Sequence, residues 1–204
     1  RFWIISLLLV LAGLATLIGL AIGLVSGYLR AVDVVVMRVM DGMMAIPAIM
    51  LAIALIALSK ASILIVIVAV TLPEVPRVVR LVRSIVLTIR EQPYIEAATA
   101  IGTGVPRIML RHLLPNALPP LIVQATYICA SAVLIEAALS FLGAGTPPEV
   151  PSWGNIMAEA RPYFQLKPAM VLLPGLFLAV TVLAINLVGD GLRDMLDPRL
   201  ARRM

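Results

Sequence analysis

Apolar residues dominate long stretches of this chain, and polar residues gather between those stretches. About 20 apolar residues of helix cross the hydrocarbon of a bilayer, where every backbone polar group must be bonded internally. Five segments meet this requirement: Phe2–Leu29, Val34–Leu58, a third that begins near Ser62 and runs past Pro73, a fourth from Pro115 or Asn116 to Leu142, and Ala169–Val188. The pattern therefore predicts an all-α, polytopic membrane helix bundle with five transmembrane helices present.

Glycines recur at every fourth position of the first predicted span, at Gly19, Gly23 and Gly27. This spacing places them on one helix face, where the backbone of a neighbouring helix can approach closely. We interpret the glycines as a helix-packing surface.

One segment, residues 92–115, breaks the apolar pattern between the third and fourth predicted spans. Pro93 suits the first turn of a helix, and Gly102 suits the left-handed residue that ends one. A second short helix follows, which Pro115 interrupts, and Asn116 is placed to cap the next span. The sequence therefore predicts two short helices joined by a glycine-containing turn.

The first of these short helices carries small residues at Ala97 and Ala98, so the surface of another protein can come close to it. Glu96 lies in its early turns, where the helix dipole favours a negative charge. The alternative is a loop that only reverses the chain, but a tight turn does that with far fewer residues. We interpret residues 92–115 as a docking element.

The composition agrees with a membrane protein. Of the 204 residues, 62% are hydrophobic and 13% are charged, whereas a soluble domain carries about 25% charged residues. The formal net charge is +5, and twelve of the 16 basic residues fall on one side of the predicted spans. The positive-inside rule places residues 92–115 and the C-terminus in the cytoplasm and residues 143–167 in an external loop.

Catalytic and metal-binding motifs are missing from the sequence. The single cysteine, Cys129, has no partner for an internal disulfide, and the single histidine, His112, excludes most multi-histidine metal sites. The sequence has no GxxxxGK[ST] phosphate loop, so any ATP hydrolysis belongs to another polypeptide. No enzymatic activity, catalytic residue, metal or cofactor is predicted for this chain itself.

Four separated motifs resemble ABC importer permeases, and in particular the peptide and nickel branch, whose second permease is called the C component. The EAA signature is matched by Glu96-Ala97-Ala98, Gly102 and Leu113-Leu114-Pro115, although His112 stands where the general pattern has Ile. At this point the chain resembles the sequence of the peptide and nickel branch, with RHLLPNALPPLIV. The other motifs are MRVMDGMMAIP (37–47), ALSFLGAGTPPEVPSWGNIMAEAR (138–161) and NLVGDGLRDMLDPR (186–199).

This resemblance implies that residues 92–115 are coupling helices that fit a cleft in a cytoplasmic ATPase. The implied ATPase-coupling residues are Glu96, Ala97, Ala98, Gly102, Leu114 and Pro115. It also implies one permease domain over residues 1–204, truncated at its N-terminus, with the first of the family's six spans missing.

The resemblance further implies an ATP-driven importer of the bacterial inner membrane for di- or oligopeptides, nickel or glutathione, without choosing among these substrates. The implied partners are a second permease subunit in a heterodimer, two cytoplasmic ATP-binding subunits that bind ATP and Mg²⁺, and an external substrate-binding protein.

Polar residues within the predicted spans are candidates for pore or subunit contacts. Glu136 lies in the fourth span, where a charge costs at least about 2.5 kcal/mol. It is open to several interpretations: binding a substrate cation, relaying protons, packing, or accepting hydrogen bonds from a neighbouring subunit, and we favour packing or subunit contact. Glu74, between two prolines, is a further candidate for a translocation path. Met44, in a methionine-rich segment, is a candidate for a pore or gate lining, with ordinary core packing as the favoured alternative.

The main alternative is a secondary transporter or channel subunit that works without nucleotide; a non-transporting assembly subunit is a third. A secondary transporter is expected to show internal repeats and polar residues that converge at the membrane midplane. Neither is visible apart from Glu136.

Overall fold

The computed structural model describes residues 3–58, 63–147 and 149–196. In these ranges the chain forms ten α-helices and no strand, which confirms the predicted all-α class. The helices are α1 (Trp3–Tyr28), α2 (Arg30–Met44), α3 (Ala48–Ala57), α4 (Ile63–Thr71), α5 (Val75–Arg90), α6 (Pro93–Ala100), α7 (Val105–Ile108), α8 (Leu114–Phe141), α9 (Trp153–Ala160) and α10 (Ala169–Leu196). A π-helical turn, Met109–Leu113, joins α7 to α8, and a 3-10 turn, Arg161–Tyr163, follows α9.

Three helical stretches in the described part of the chain are long and apolar enough to cross a bilayer: Leu9–Tyr28, Val105–Phe141 and Ala169–Leu196. They overlap the first, fourth and fifth predicted spans. Two predicted span ends, Phe2 and Ser62, lie outside the described residues. So do five of the basic residues that were counted for the orientation: Arg1, Lys60, Arg199, Arg202 and Arg203.

The prediction of one continuous helix over Val34–Leu58 is wrong. Helices α2 and α3 meet at an angle of 84° around Pro47, and only together do they qualify as a fourth candidate span. The bend follows from Pro47, which has no N–H to donate and disfavours helical conformation in the residue before it. The third predicted span is likewise interrupted at residues 72–74, between α4 and α5, so the count of five spans stays a prediction.

The predicted break at Pro115 is also wrong. The chain is helical from Val105 to Phe141, and Pro115 lies in the first turn of α8, directly after the π-helical turn. The wider turn changes the hydrogen-bonding pattern just where the proline lacks an N–H group. Asn116 is therefore not an N-cap, and its side-chain Nδ2 instead donates to the carbonyl oxygen of His112 at 2.6 Å.

The glycine face of α1 packs against α5, as its spacing predicts. Three buried valines of α5 cover it: Val78 lies over Gly19, Val82 over Gly23 and Val86 over Gly27. A Cβ atom added to the glycines would lie 2.4, 2.7 and 2.7 Å from the Cβ atoms of these valines, respectively. The two helices therefore approach as closely as they do only because α1 has no side chains there.

Helix α8 lies at the centre of the bundle and packs against α1, α5, α9 and α10. Its first half shares a core with α1 and α5, and its second half shares a core with α3 and α4. Helix α10 comes close to it at Gly189, where an added Cβ would lie 2.2 Å from Thr126 Oγ1. The exposed side of α10 is apolar, as in a helix that faces lipid or another membrane subunit; it includes Leu172, Leu176, Phe177, Val180, Leu183 and Leu187.

Candidate coupling surface and buried polar sites

Helix α6 begins and ends where the sequence predicts. Gln92 precedes it with extended backbone, and Pro93 occupies its first position. Gly102 adopts φ +81°, the left-handed conformation that favours glycine, and Thr103 N donates to Ala98 O at 3.0 Å. This bond pattern closes the helix end, so the predicted start and stop signals are confirmed.

One residue anchors α6, while the predicted docking face stays open. Ile95 is 2% exposed and packs in the core that α1, α5 and α8 share. Glu96 and Ala97 are exposed, Ala98 is half-buried, and Ile101 is 82% exposed directly after the helix. The molecule therefore presents an exposed surface of small residues that ends in an unburied apolar side chain.

The remaining coupling candidates lie on the second side of the insert. Leu114 is half-buried against the core, and Pro115 is exposed. The ring of Tyr94 on α6 lies 6.0 Å from that of His112 in the π-helical turn. This contact brings α6 against the helix that continues into α8.

The end of α5, which leads into α6, is bonded to the end of α1. Arg90, its last residue, donates from Nη1 to the carbonyl oxygens of Tyr28 at 3.2 Å and Gly27 at 3.5 Å. A cation placed on the terminal carbonyls of α1 satisfies acceptors that the helix leaves free and interacts favourably with its dipole. An open cleft of about 500 Å³ lies between this end of α1 and α6.

Two ion pairs fasten α2 to the same helix. Arg83 Nη2 donates to Asp33 Oδ2 at 2.6 Å, while Nε bonds the other carboxylate oxygen, and Arg80 pairs with Asp41. The two-point contact of Arg83 fixes geometry more strongly than a single bond does. Sequence reasoning missed both pairs because their members lie 50 and 39 residues apart.

Asp33→Asn is expected to weaken the attachment of α2 by about 1 kcal/mol, the upper range for a partly exposed pair. The charge-swapped double variant Asp33→Arg/Arg83→Asp is expected to recover most of that loss. The melting temperature of the purified protein measures both effects. Arg38→Gln, an exposed residue of the same helix, serves as the control, and equal melting of Asp33→Asn and Arg38→Gln would contradict the assignment.

Glu74 and Met44 occupy different surroundings. Glu74 is 1% exposed at the junction of α4 and α5, and Arg77 Nη1 lies 3.1 Å from each of its carboxylate oxygens. Met44 is exposed at the end of α2, beside the bend at Pro47. The structure does not bring these two candidates and Glu136 into one site.

Glu136 is 4% exposed in the C-terminal half of α8 and has its hydrogen-bond donors within this chain. Ser140 Oγ donates to its Oε1 at 2.8 Å, and Thr146 Oγ1, from the predicted external loop, donates to the same atom at 3.1 Å. Sequence reasoning singled out the acid but not these partners. The only signal for them was the polar spacing within ALSFLGAGT, which does not show how the loop folds back.

A second polar contact joins α8 to α10. Tyr127 OH donates to Asp190 Oδ1 at 2.6 Å, just beyond the end of the fifth predicted span. Both residues lie on the surface of this chain. Polar pairs at membrane depth normally face protein or water. We therefore expect the surface around Tyr127 and Asp190 to face another protein subunit or water rather than lipid.

Among the residues that the structure describes, no group of three or more His, Cys, Asp or Glu side chains is placed to hold a metal ion. The arrangement is instead a bundle of apolar helices with a capped, exposed helix at one end and buried polar contacts within. These features define a polytopic membrane protein with an exposed helix at one end that is placed to contact another protein.

The comparison with known families agrees. The family described as "Binding-protein-dependent transport system inner membrane component" matches residues 15–202. The chain belongs to this family and is a multi-pass protein of the inner membrane. The resemblance inferred from the separated motifs is confirmed.

Named relatives narrow the comparison. The chain is 54% identical over 178 residues to a "Probable peptide ABC transporter permease protein y4tQ" of Sinorhizobium fredii, covering 87% of this chain and 61% of that protein. It is 43% identical to the "Dipeptide transport system permease protein DppC" of Alkalihalophilus pseudofirmus, covering 91% of this chain and 62% of that protein. The chain therefore spans less than two thirds of the length of these relatives.

Solved structures show the same fold. A chain from inward-facing conformations of the MetNI methionine ABC transporter matches with a TM-score of 0.68 at 23% identity, covering 94% of each chain. A second crystal form gives a TM-score of 0.66 at 22% identity, covering 96% of this chain and 97% of that one. At this identity the likeness concerns the fold alone.

Proposed function

We propose that this chain is the transmembrane permease subunit of an ATP-driven importer for di- or oligopeptides or related small solutes. The observation that carries the proposal is α6, a capped helix that keeps Glu96 and Ala97 exposed while Ile95 anchors it to the bundle. The family match and the names of the relatives support the importer class and the peptide substrate. Nickel and glutathione are the other substrates that the motifs allow.

The proposed partners are two cytoplasmic ATP-binding subunits, a second permease subunit that completes the pore, and an external binding protein that delivers substrate. ATP and Mg²⁺ bind to the ATP-binding subunits, and we propose no catalytic or cofactor-binding role for this chain. Residues 92–115 and the C-terminus face the cytoplasm, and residues 143–167 face the exterior. Co-purification in mild detergent tests the proposal: a P-loop ATPase is expected with this chain, and its absence favours a nucleotide-independent carrier.

The mechanism follows from the contacts of α6. Closure of the ATP-binding subunits displaces α6, and only residues 91 and 92 separate it from α5. Helix α5 carries the displacement to α1 through the glycine–valine packing and to α2 through the two ion pairs. The contact of Tyr94 with His112 carries it to α8 as well. A displacement at one exposed helix thus reaches the whole bundle and switches the pore between outward- and inward-facing states.

The proposed orientation gives a direct prediction. Ile101→Cys and Leu166→Cys, each in a Cys129→Ala background, place a thiol at two positions that are both 82% exposed. With this chain expressed without its partner subunits, we expect an impermeant maleimide to label residue 101 only in inverted membrane vesicles and residue 166 only in right-side-out vesicles. Because the exposure of the two sites is matched, a difference in labelling reports the side of the membrane. Labelling of residue 101 from the outside would contradict the proposal.

A further inference from the structure

The loop that follows α8 folds back onto it through two chains of hydrogen bonds that meet at Glu136 Oε1. In one chain, Thr146 N donates to Ser140 Oγ at 3.2 Å, and Ser140 Oγ donates to Glu136 at 2.8 Å. In the other, Asn155 Nδ2 donates to Thr146 Oγ1 at 3.2 Å, and Thr146 Oγ1 donates to Glu136 at 3.1 Å. Glu136, Ser140 and Thr146 are 4%, 2% and 6% exposed, so water does not substitute readily for these bonds.

Asn155 connects this network to α9. Its side-chain amide nitrogen lies 2.9 Å from Val150 O and 3.2 Å from Pro147 O, in addition to its bond to Thr146. Its backbone N–H donates at 3.1 Å to Ser152 Oγ, the N-cap of α9. One residue therefore holds together the loop, the start of α9 and the carboxylate of α8.

Close packing leaves the loop no room to shift sideways. A Cβ atom added to Gly154 would lie 2.5 Å from Ala137 O, and one added to Gly145 would lie 2.1 Å from Ser140 Oγ. Trp153 also stacks on Phe177 of α10, with ring centroids 5.6 Å apart and an interplanar angle of 10°. Helix α9 is thus fixed against both α8 and α10.

The energetics favour keeping the loop in this position. Within the described ranges, no Lys or Arg forms an ion pair with Glu136, so its hydrogen bonds must offset the cost of burying the carboxyl group. Thr146 comes from the loop, so lifting the loop would leave Glu136 with one donor fewer in a buried site. Burying a polar group with one hydrogen bond fewer is unfavourable, so the closed position of the loop is favoured.

We propose that Glu136, Ser140, Thr146 and Asn155 form an outer latch that makes residues 143–147 and 149–160 move together with α8. Glu136 is then a positioning residue and does not touch the transported solute. The helical stretch Val105–Phe141 has 37 residues, or about 55 Å at 1.5 Å per residue, and it begins beside α6. The latch therefore completes a mechanical path from the coupling surface to the external loop. This inference rests on the proposed importer function.

The test uses the assembly purified with its partner subunits and reconstituted in lipid. Thr146→Val removes the hydroxyl group without changing shape, and loss of this buried bond is expected to raise amide hydrogen exchange in residues 143–152 about tenfold. Asn155→Leu is also expected to raise amide hydrogen exchange in residues 143–152. Uptake is expected to fall severalfold in both, while ATP hydrolysis in the absence of the binding protein stays at the wild-type rate.

Two further variants separate positioning from simple structural damage. Glu136→Gln keeps an oxygen that accepts both hydroxyl donors, so exchange and uptake are expected to stay near wild type. Glu136→Leu removes that oxygen and is expected to raise exchange and lower uptake. Thr181→Val is the matched control, since Thr181 Oγ1 donates only within its own helix, to Phe177 O at 2.8 Å. It is expected to change neither measurement.

Unchanged exchange in both Thr146→Val and Asn155→Leu overturns the latch. Raised exchange with undiminished uptake overturns its role in transport. A wild-type assembly that lacks ATP-dependent uptake overturns the proposed function, and the transport role with it, whereas the exchange measurements still decide whether the loop is fastened. The failure of the latch and the failure of the importer proposal are therefore distinguishable.

Discussion

Gly23→Ala is expected to destabilise the protein by about 1–3 kcal/mol, as overpacking of a close helix contact does. The new methyl group would lie 2.7 Å from Val82 Cβ and 2.9 Å from the backbone oxygen of Val79. Side-chain rotation does not move either atom, so α1 and α5 must separate. The effect is measured as a lower melting temperature of the purified protein and a smaller amount of protein inserted into the membrane.

The control for this prediction lies on the same helix. Gly13→Ala adds a methyl group where no heavy atom lies within 4 Å, so it is expected to leave the melting temperature unchanged or raise it slightly, because alanine favours helix. If Gly13→Ala and Gly23→Ala melt alike, the packing of α1 on α5 is not as described.

Ala97→Gly/Ala98→Gly is expected to uncouple ATP hydrolysis from uptake. Glycine in a helix interior costs about 1 kcal/mol relative to alanine, and α6 has only eight residues. Two such changes favour local unfolding of α6 by about 2 kcal/mol, or roughly 30-fold, so a push on it is absorbed rather than transmitted. Uptake per ATP hydrolysed in reconstituted vesicles is expected to fall about tenfold or more, with normal membrane insertion.

The matched control carries the same two changes in another helix. Ala179 and Ala184 are exposed residues of α10, so Ala179→Gly/Ala184→Gly introduces a similar loss of helix propensity away from α6. It is expected to preserve the ratio of uptake to hydrolysis. An unchanged ratio in the α6 variant, or an equal loss in both, would argue against α6 as the coupling element.

The features that the sequence predicted correctly each depend on a few neighbouring residues. Pro93 and Gly102 act through their own backbone preferences, so the ends of α6 were visible without knowledge of the rest of the fold. The glycines of α1 define one face by their spacing alone. The family resemblance added the prediction that this surface couples to an ATPase, which spacing by itself does not give.

The errors concern prolines in apolar segments. Pro47 bends its segment by 84°, whereas Pro115 sits in the first turn of a helix that continues without a break. Both residues have the same local preference, and the difference comes from the neighbouring turns: a π-helical turn precedes Pro115, whereas residues 45 and 46 leave the helix before Pro47. Hydropathy does not distinguish the two cases.

The polar contacts between distant segments were beyond sequence reasoning. Asp33 and Arg83, or Tyr127 and Asp190, carry no pattern that pairs them, because their distances depend on how the helices pack. Glu136 was recognised as unusual from its apolar surroundings, but its partner Thr146 is set by the path of the loop. Burial predicts that a polar group needs a partner and does not identify which one.

The most direct test of the account measures labelled dipeptide uptake into vesicles that contain the complete assembly, with and without the ATP-binding subunits. Accumulation is expected only when these subunits, the binding protein and hydrolysable ATP are all present. Accumulation at the same rate without the ATP-binding subunits would contradict the claim that a separate cytoplasmic ATPase drives this chain through α6.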